Sequence, residues 1–463
     1  MIRKFFTIIF LLTFLIPFFP PEISSVNDSR AMQTDYESQI AFEECTSIIV
    51  TGSAAKDGRA ILMKTRDSAQ TINVPVYHPA TDDTYAFVAV NSMWMGINEK
   101  GLAVMNTAMP ALSDNADLGS LNGIVNRRIL ERCSNISDVL RQLRAKDNPI
   151  IDTSVGTIAS CIGLVDANGE GAFLETSNTF SSIEYVIDGF QSRANHPRTY
   201  PGLASGPSGR DQYALDALNA IYTVEGEISW QDVAQNVSRY VNNKELGETV
   251  FSISGEICNQ NTVAAMVAVS GDDRYDGALN AIWCSYGRTP IVSVFLPSIV
   301  AAGSTPTILN DMYSYTEEKR DYASQDGILY NPRVVEEIQD YAFSAEDYTF
   351  EQYDRLMEKI PVGLSQSDLQ ATTSDFIDLT VTVGADMYVN ETESLPEYAT
   401  SFDITIPPSN LVTSVTSSST TTTSGNSNNT PIGTDALGYI GATIGIGVIS
   451  VIIIALYKKW KTT

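Results

Sequence analysis

Five cysteines carry the strongest potential for covalent chemistry in this chain: Cys45, Cys133, Cys161, Cys258 and Cys284. Cys45 stands apart from the rest. It opens the run CTSIIVTGSAAKDGRAILMKTRD, Cys45 to Asp67, and a thiolate in an accessible position attacks acyl carbonyls. The alternative is a buried strand-end cysteine, since free cysteine is among the most buried residue types. The two histidines, His78 and His196, have no second histidine nearby, so zinc-protease and His-rich metal patterns are absent. Neither a G-x-S-x-G elbow nor a phosphate-cradling glycine loop is present. A Cys–His dyad through His196 is conceivable, but one histidine in a proline-flanked loop is more often structural. No metal and no cofactor are expected.

The elements that must position Cys45 alternate in blocks. Ser47 to Val50, Ala60 to Lys64, Tyr85 to Asn91 and Leu102 to Met105 are short and rich in Ile, Val and Ala. Turn residues such as Lys56-Asp57-Gly58 and Glu99-Lys100-Gly101 separate them, which predicts antiparallel hairpins. Helical spacing follows at Gly123 to Cys133 and Ile136 to Arg144. Strands resume at Ala159 to Asp166 and Gly171 to Glu175 around the turn Ala167-Asn168-Gly169. A second helical block, Arg210 to Tyr222 and Trp230 to Val241, precedes strands at Val263 to Val269 and Ala278 to Ser285. That order fits two packed sheets with helices outside, an α+β class. Asn310 to Glu358 reads as helical and acidic, and residues 310–407 are expected to cap the same domain.

Of 463 residues, 43% are hydrophobic and 18% charged, an ordinary globular mixture able to bury a core. The formal charge of −26, with 55 Asp and Glu against 29 Lys and Arg, argues against nucleic acid, which needs a clustered basic face. Residues 1–22, with Arg3 and Lys4 before the apolar run FFTIIFLLTFLIPFF, read as a secretory signal; an uncleaved anchor is the alternative. Residues 436–457 supply an uncharged stretch long enough to cross a bilayer as a helix. The basic tail 458–463, with Lys458, Lys459 and Lys461, places the C-terminus in the cytoplasm. Residues 408–435, rich in Ser, Thr and Asn, form a stalk. The expectation is a single-pass cell-membrane protein with residues 45–407 outside the cell. Asn135, Asn236, Asn390 and Asn428 are candidate glycan acceptors. In an exported chain an odd cysteine count suggests one free thiol with others paired, so at least one disulfide is expected among Cys133, Cys161, Cys258 and Cys284.

Five ordered blocks give the chain a family resemblance. Cys45-Thr46-Ser47 with Lys56-Asp57-Gly58 and Arg66-Asp67 resembles the opening of cysteine N-terminal nucleophile (Ntn) hydrolases. WMGINEKGLAVMN (Trp94 to Asn106), GLVDANGEGAFLET (Gly163 to Thr176), SRANHP (Ser192 to Pro197) and SGRDQYALDAL (Ser208 to Leu218) continue it. The pattern is similar to the penicillin acyltransferase-like group, with choloylglycine (bile salt) hydrolases and cysteine dipeptidases as more distant kin.

That resemblance implies a four-layer αββα sandwich, here with a C-terminal helical extension and a C-terminal transmembrane helix. It also implies that residues 23–44 are a propeptide, removed so that Cys45 gains a free α-amine. With an ordinary pKa of about 7.7 to 8.0, such an amine can act as the base that histidine supplies elsewhere. By the same resemblance Asp67 orients the amine, Asn106 and Asn195 donate amides to the acyl oxygen, and Arg210 is a structural or catalytic cation. Lys64-Thr65 stands where bile salt hydrolases keep Arg-Asn, so Lys64 and Arg66 are the candidate substrate-binding cations. The implied activity is cleavage of linear amide C–N bonds in a small-molecule substrate, or acyl transfer from the same thioester. A dipeptidase of the same fold and a noncatalytic surface module are the alternatives.

Overall fold

The computed structural model describes residues 45–113, 119–207, 209–241, 251–253, 256–270, 277–324 and 326–396, all within one compact unit. The expected signal, propeptide, stalk, transmembrane segment and basic tail lie outside these residues, as do Asn428 and positions 397–407 of the expected cap. Among the described residues no helix is long and apolar enough to cross a membrane.

The strands are β1 Thr46–Val50, β2 Ile61–Asp67, β3 Pro75–His78, β4 Phe87–Val90, β5 Met95–Asn98, β6 Ala103–Ala108, β7 Ala159–Val165, β8 Gly171–Ser177, β9 Ser181–Val186, β10 Phe190–Arg193, β11 Phe251–Ser252, β12 Thr262–Val269, β13 Ala281–Ser285, β14 Phe295–Ile299 and β15 Leu329–Tyr330. The helices are α1 Asn122–Arg132, α2 Ile136–Gln142, α3 Arg210–Glu225, α4 Met312–Ala323, α5 Pro332–Lys359 and α6 Gln366–Val389. One large sheet has the order β10-β1-β2-β12-β13-β14, a second runs β3 to β9 in chain order, and β11 pairs with β15 in a separate two-stranded ladder. Their ladders are antiparallel, as hairpins joined by short turns require.

Alternation along β6 shows how the layers form. Ala103 and Met105 face the other sheet, whereas Leu102 and Val104 join Val125, Ile129 and Leu130 of α1 in a separate apolar cluster. The sheets meet closely at Gly163 of β7, where a Cβ would fall 2.3 Å from the Met105 methyl and 3.1 Å from a Leu62 methyl. On the far side α3 lies against β1 and β10, and α5 and α6 lie against β14. The order is therefore helix, sheet, sheet, helix.

Residues 312–389 are more than a cap, because they supply part of the outer helical layer. Glu346 of α5 is fully buried and bonded to Arg239 and to the Phe295 N–H. Trp230 stacks on Trp283 of β13 at 4.6 Å, and Phe350 and Tyr353 of α5 meet both rings edge-on. Pattern reading missed β3, β5, β9, β10, β11, β14 and β15, the last inside a stretch expected to be helical. In β14, Pro297 breaks the usual strand composition and is tolerated because this strand is a sheet edge. The helix expected over Trp230 to Val241 is a single turn, Trp230–Asp232, followed by a π-type turn, Val233–Val237.

The expected disulfide is absent: all five cysteines are buried and no cystine joins any two of them. Tertiary placement separates them. Cys161 lies between the sheets, Cys133 sits in the layer under α1, and Cys258 contacts the Thr289 hydroxyl at 3.0 Å. Burial pushes the thiols of Cys133, Cys161 and Cys258 up to about 12, and that of Cys284 well above its ordinary value. Thiolate, the form that alkylates, is therefore scarce at all four near neutral pH. Iodoacetamide should leave these four unlabelled in the native protein and label all four after denaturation without reductant; peptide mass mapping distinguishes this from a cystine pair.

Candidate active site

Cys45 leads directly into β1 and is 2% exposed. Its backbone nitrogen donates to Asn195 Oδ1 at 2.6 Å. Asn195 also accepts from Arg210 Nη2 at 3.1 Å, while its Nδ2 donates to the Ala108 carbonyl at 2.8 Å. Guanidinium only donates and a carbonyl only accepts, so these two neighbours leave one orientation for the amide. The oxygen must face Cys45.

The residues that follow Asn195 are held by two buried carboxylates. Glu175 of β8, 1% exposed, accepts from the backbone N–H groups of Arg198, Thr199 and Tyr200 at 2.7, 2.9 and 3.1 Å. Asp211, fully buried one residue into α3, binds Arg198 Nη1 at 2.9 Å and lies 3.3 Å from His196 Nε2. These contacts explain the segment around Asn195 as a positioning device, and they give His196 a carboxylate to pair with. Arg210 begins α3, so the same helix start supplies both the loop clamp and the cation on Asn195.

Asp67 ends β2 and is 1% exposed. Thr46 pairs with Thr65, so continuing the register puts Cys45 level with Arg66 and Asp67 one residue beyond. Thr262 Oγ1 and Asn259 Nδ2 donate to the two Asp67 oxygens at 2.7 Å each. Lys64 and Arg66, in step with Leu62, are turned toward the other sheet. Lys64 Nζ donates to the Asn106 carbonyl, Arg66 Nη1 donates to Ser92 Oγ at 3.2 Å, and both cations lie over the Trp94 ring, 5.1 and 5.6 Å from its centroid.

The structure thus gathers Cys45, Asn195 and Arg210 directly and carries Asp67, Lys64 and Arg66 on the adjacent strand. Asn106 is in β6. It follows Met105 of the inter-sheet face, so its side chain turns to α1, where Asn126 Nδ2 donates to its Oδ1 at 3.0 Å. Its carbonyl, through Lys64, is what reaches the inter-sheet face. Asn195 turns its Oδ1 to Cys45 and gives one amide hydrogen to the Ala108 carbonyl. Sequence reading missed Glu175, Asn259 and Thr262 as supports; Glu175 lay inside a quoted motif, whereas Asn259 and Thr262 carried no local signal. Asn135, a candidate glycan acceptor, is used as the N-cap of α2, accepting from Asp138 N–H at 2.9 Å. Among the described residues no cluster of His, Cys, Asp and Glu is arranged to hold a metal ion.

Two antiparallel sheets lie between helical layers, and Cys45 leads into β1, an interior strand of the first. Residues 53–266 match the family model described as acyl-coenzyme A:6-aminopenicillanic acid acyl-transferase. The matched segment starts eight residues after Cys45 and includes Lys64, Arg66, Asp67, Asn106, Asn195 and Arg210. Among solved structures the chain is similar to penicillin V acylase from Agrobacterium tumefaciens, with 16% identity, 55% of this chain and 86% of that chain covered, and a TM-score of 0.34. It is also similar to a mutant of conjugated bile acid hydrolase from Clostridium perfringens, with 11% identity, coverage of 55% and 89%, and a TM-score of 0.31. No curated protein sequence matches it significantly.

Proposed function

We propose that this chain is an extracellular, membrane-anchored hydrolase of linear amides in which Cys45, freed of the residues before it, is the nucleophile. The observation that carries the reading is the grip on the Cys45 nitrogen: Asn195 Oδ1 accepts from it at 2.6 Å in an orientation fixed by Arg210 and Ala108. A socket built around a backbone nitrogen has a chemical use if that nitrogen becomes an amine. The amine takes the thiol proton, and the Cys45 sulfur adds to the amide carbonyl carbon. Collapse of the tetrahedral intermediate breaks the C–N bond, the ammonium returns the proton to the leaving amine, and an acyl thioester remains. Water releases the acid; a second amine in its place gives acyl transfer. Asp67 holds the ammonium, and Lys64 and Arg66 face the substrate. The membrane anchor and outside location rest on the two sequence ends.

N-terminal sequencing of active protein taken from its native membrane should read Cys-Thr-Ser-Ile. Active material still carrying residues 23–44 would end the free-amine mechanism. A panel of N-acyl amino acids, acylated amines, dipeptides and penicillins then assigns the substrate class, with cleavage of acyl amides expected and exclusive cleavage of dipeptides pointing to a dipeptidase.

A further inference from the structure

Asp67 is the point where a proposed catalytic group meets residues to which no role has been assigned. Both of its oxygens are engaged from the segment that leads into β12. Thr262 Oγ1 also accepts from Asn259 N–H at 2.9 Å, so its own hydrogen is directed at Asp67 Oδ1. Asn259 Nδ2 also faces the Glu256 carbonyl at 3.1 Å, and Asn259 Oδ1 accepts from Asn261 N–H at 2.8 Å, so its amide cannot be turned over. Asn261 in turn accepts from Ser68 N–H at 3.1 Å, tying this turn to the residue after Asp67. Asn259 is 2% exposed and Thr262 fully buried, so water does not compete for these bonds.

We infer that Asn259 and Thr262 are positioning residues that hold Asp67 as an ionised, fixed acceptor for the Cys45 amine. This rests on the proposed role of Cys45 and Asp67. A neutral donor on each oxygen stabilises the carboxylate over the acid and restrains its rotation. Neither donor carries a charge that would compete with the amine. Nothing in the sequence around either residue marks them, because they lie 192 and 195 positions from Asp67.

The test uses the processed full-length protein with p-nitrophenyl acetate as acyl donor, acetylation of Cys45 being located by mass. Thr262→Val and Asn259→Ala should lower kcat roughly 10- to 100-fold with KM little changed, the usual scale for removing a supporting contact. The acidic limb of the pH–rate profile should move up by about one unit, because the carboxylate has lost stabilising donors. Thr262→Ser restores the hydroxyl and should restore both quantities. Asn259→Asp, which sets a second carboxyl against Asp67, should move the limb furthest and provides a reading if Thr262→Val folds poorly. Wild-type kcat and an unmoved limb in Thr262→Val, an equal loss in Thr262→Ser, or full activity in Asp67→Asn would each overturn the inference. Wild-type protein left unacetylated at Cys45 would instead overturn the functional reading beneath it.

Discussion

Cys45→Ala should abolish turnover, a loss on the order of 10⁴-fold or more, as when the nucleophile of a hydrolase is removed. The structure makes this substitution informative. Asn195 grips the backbone nitrogen of residue 45, so alanine keeps the socket filled and removes only the sulfur. A thermal melt close to that of wild type should accompany the loss. Cys45→Ser should fold equally well and still lose most activity, because a hydroxyl is far harder to ionise than a thiol. Kinetics on whichever substrate the panel identifies, with the mature N-terminus of each variant checked by mass, separates failed catalysis from failed processing. Full activity in Cys45→Ala would remove the central assignment and return attention to His196.

The largest effect on stability is expected at the buried pair of Arg239 with Glu346. Arg239, 6% exposed, donates to the Pro290 and Ser293 carbonyls at 2.9 and 2.7 Å and to Glu346 Oε2 at 3.1 Å. The Phe295 and Phe343 rings each lie 5.0 Å from its guanidinium carbon. Burial pushes the Glu346 carboxyl above its ordinary value against the pull of Arg239, so the pair gains little net stability from its charges. Removing one partner is different, because it strands the other charge in the interior. Glu346→Ala should cost about 3–5 kcal/mol, and replacing both residues together by Met and Leu should cost less than either single change. Urea unfolding of the three variants measures this; a double variant as unstable as the sum of the singles would contradict it. The sharper consequence is architectural: α5 should fail to seat on the first sheet, exposing Trp230 and Trp283.

The strands and helices that surround the site were largely written in local sequence. Ile48 to Val50 and Ile61 to Met63 read as strands because branched apolar residues on either side of Lys56-Asp57-Gly58 have little other use. Val125, Ile129 and Leu130 of α1 read as a helix by spacing, and they form the apolar cluster that this spacing predicts. The order of these blocks also pointed to two sheets between helical layers. By contrast, β9, β10 and β14 carry mixed or proline-containing sequences whose strand form comes from pairing with neighbouring strands.

Tertiary structure decided the chemistry's finer terms. The sequence by itself named Cys45, Asp67, Asn195 and Arg210, but which atom of Asn195 faces Cys45 depends on Arg210 and on Ala108, 87 positions away. Asn106 shares the quoted motif with Trp94, yet the two-residue period of β6 turns its amide to Asn126 of α1. The cysteines illustrate the same limit: five thiols in a chain expected to be exported suggest pairing, and their distribution among separate layers prevents it. Local sequence specifies backbone conformation through propensity and periodicity. Hydrogen-bond direction and side-chain pairing depend on which residues folding brings within about 3 Å, and that is a property of the packed molecule.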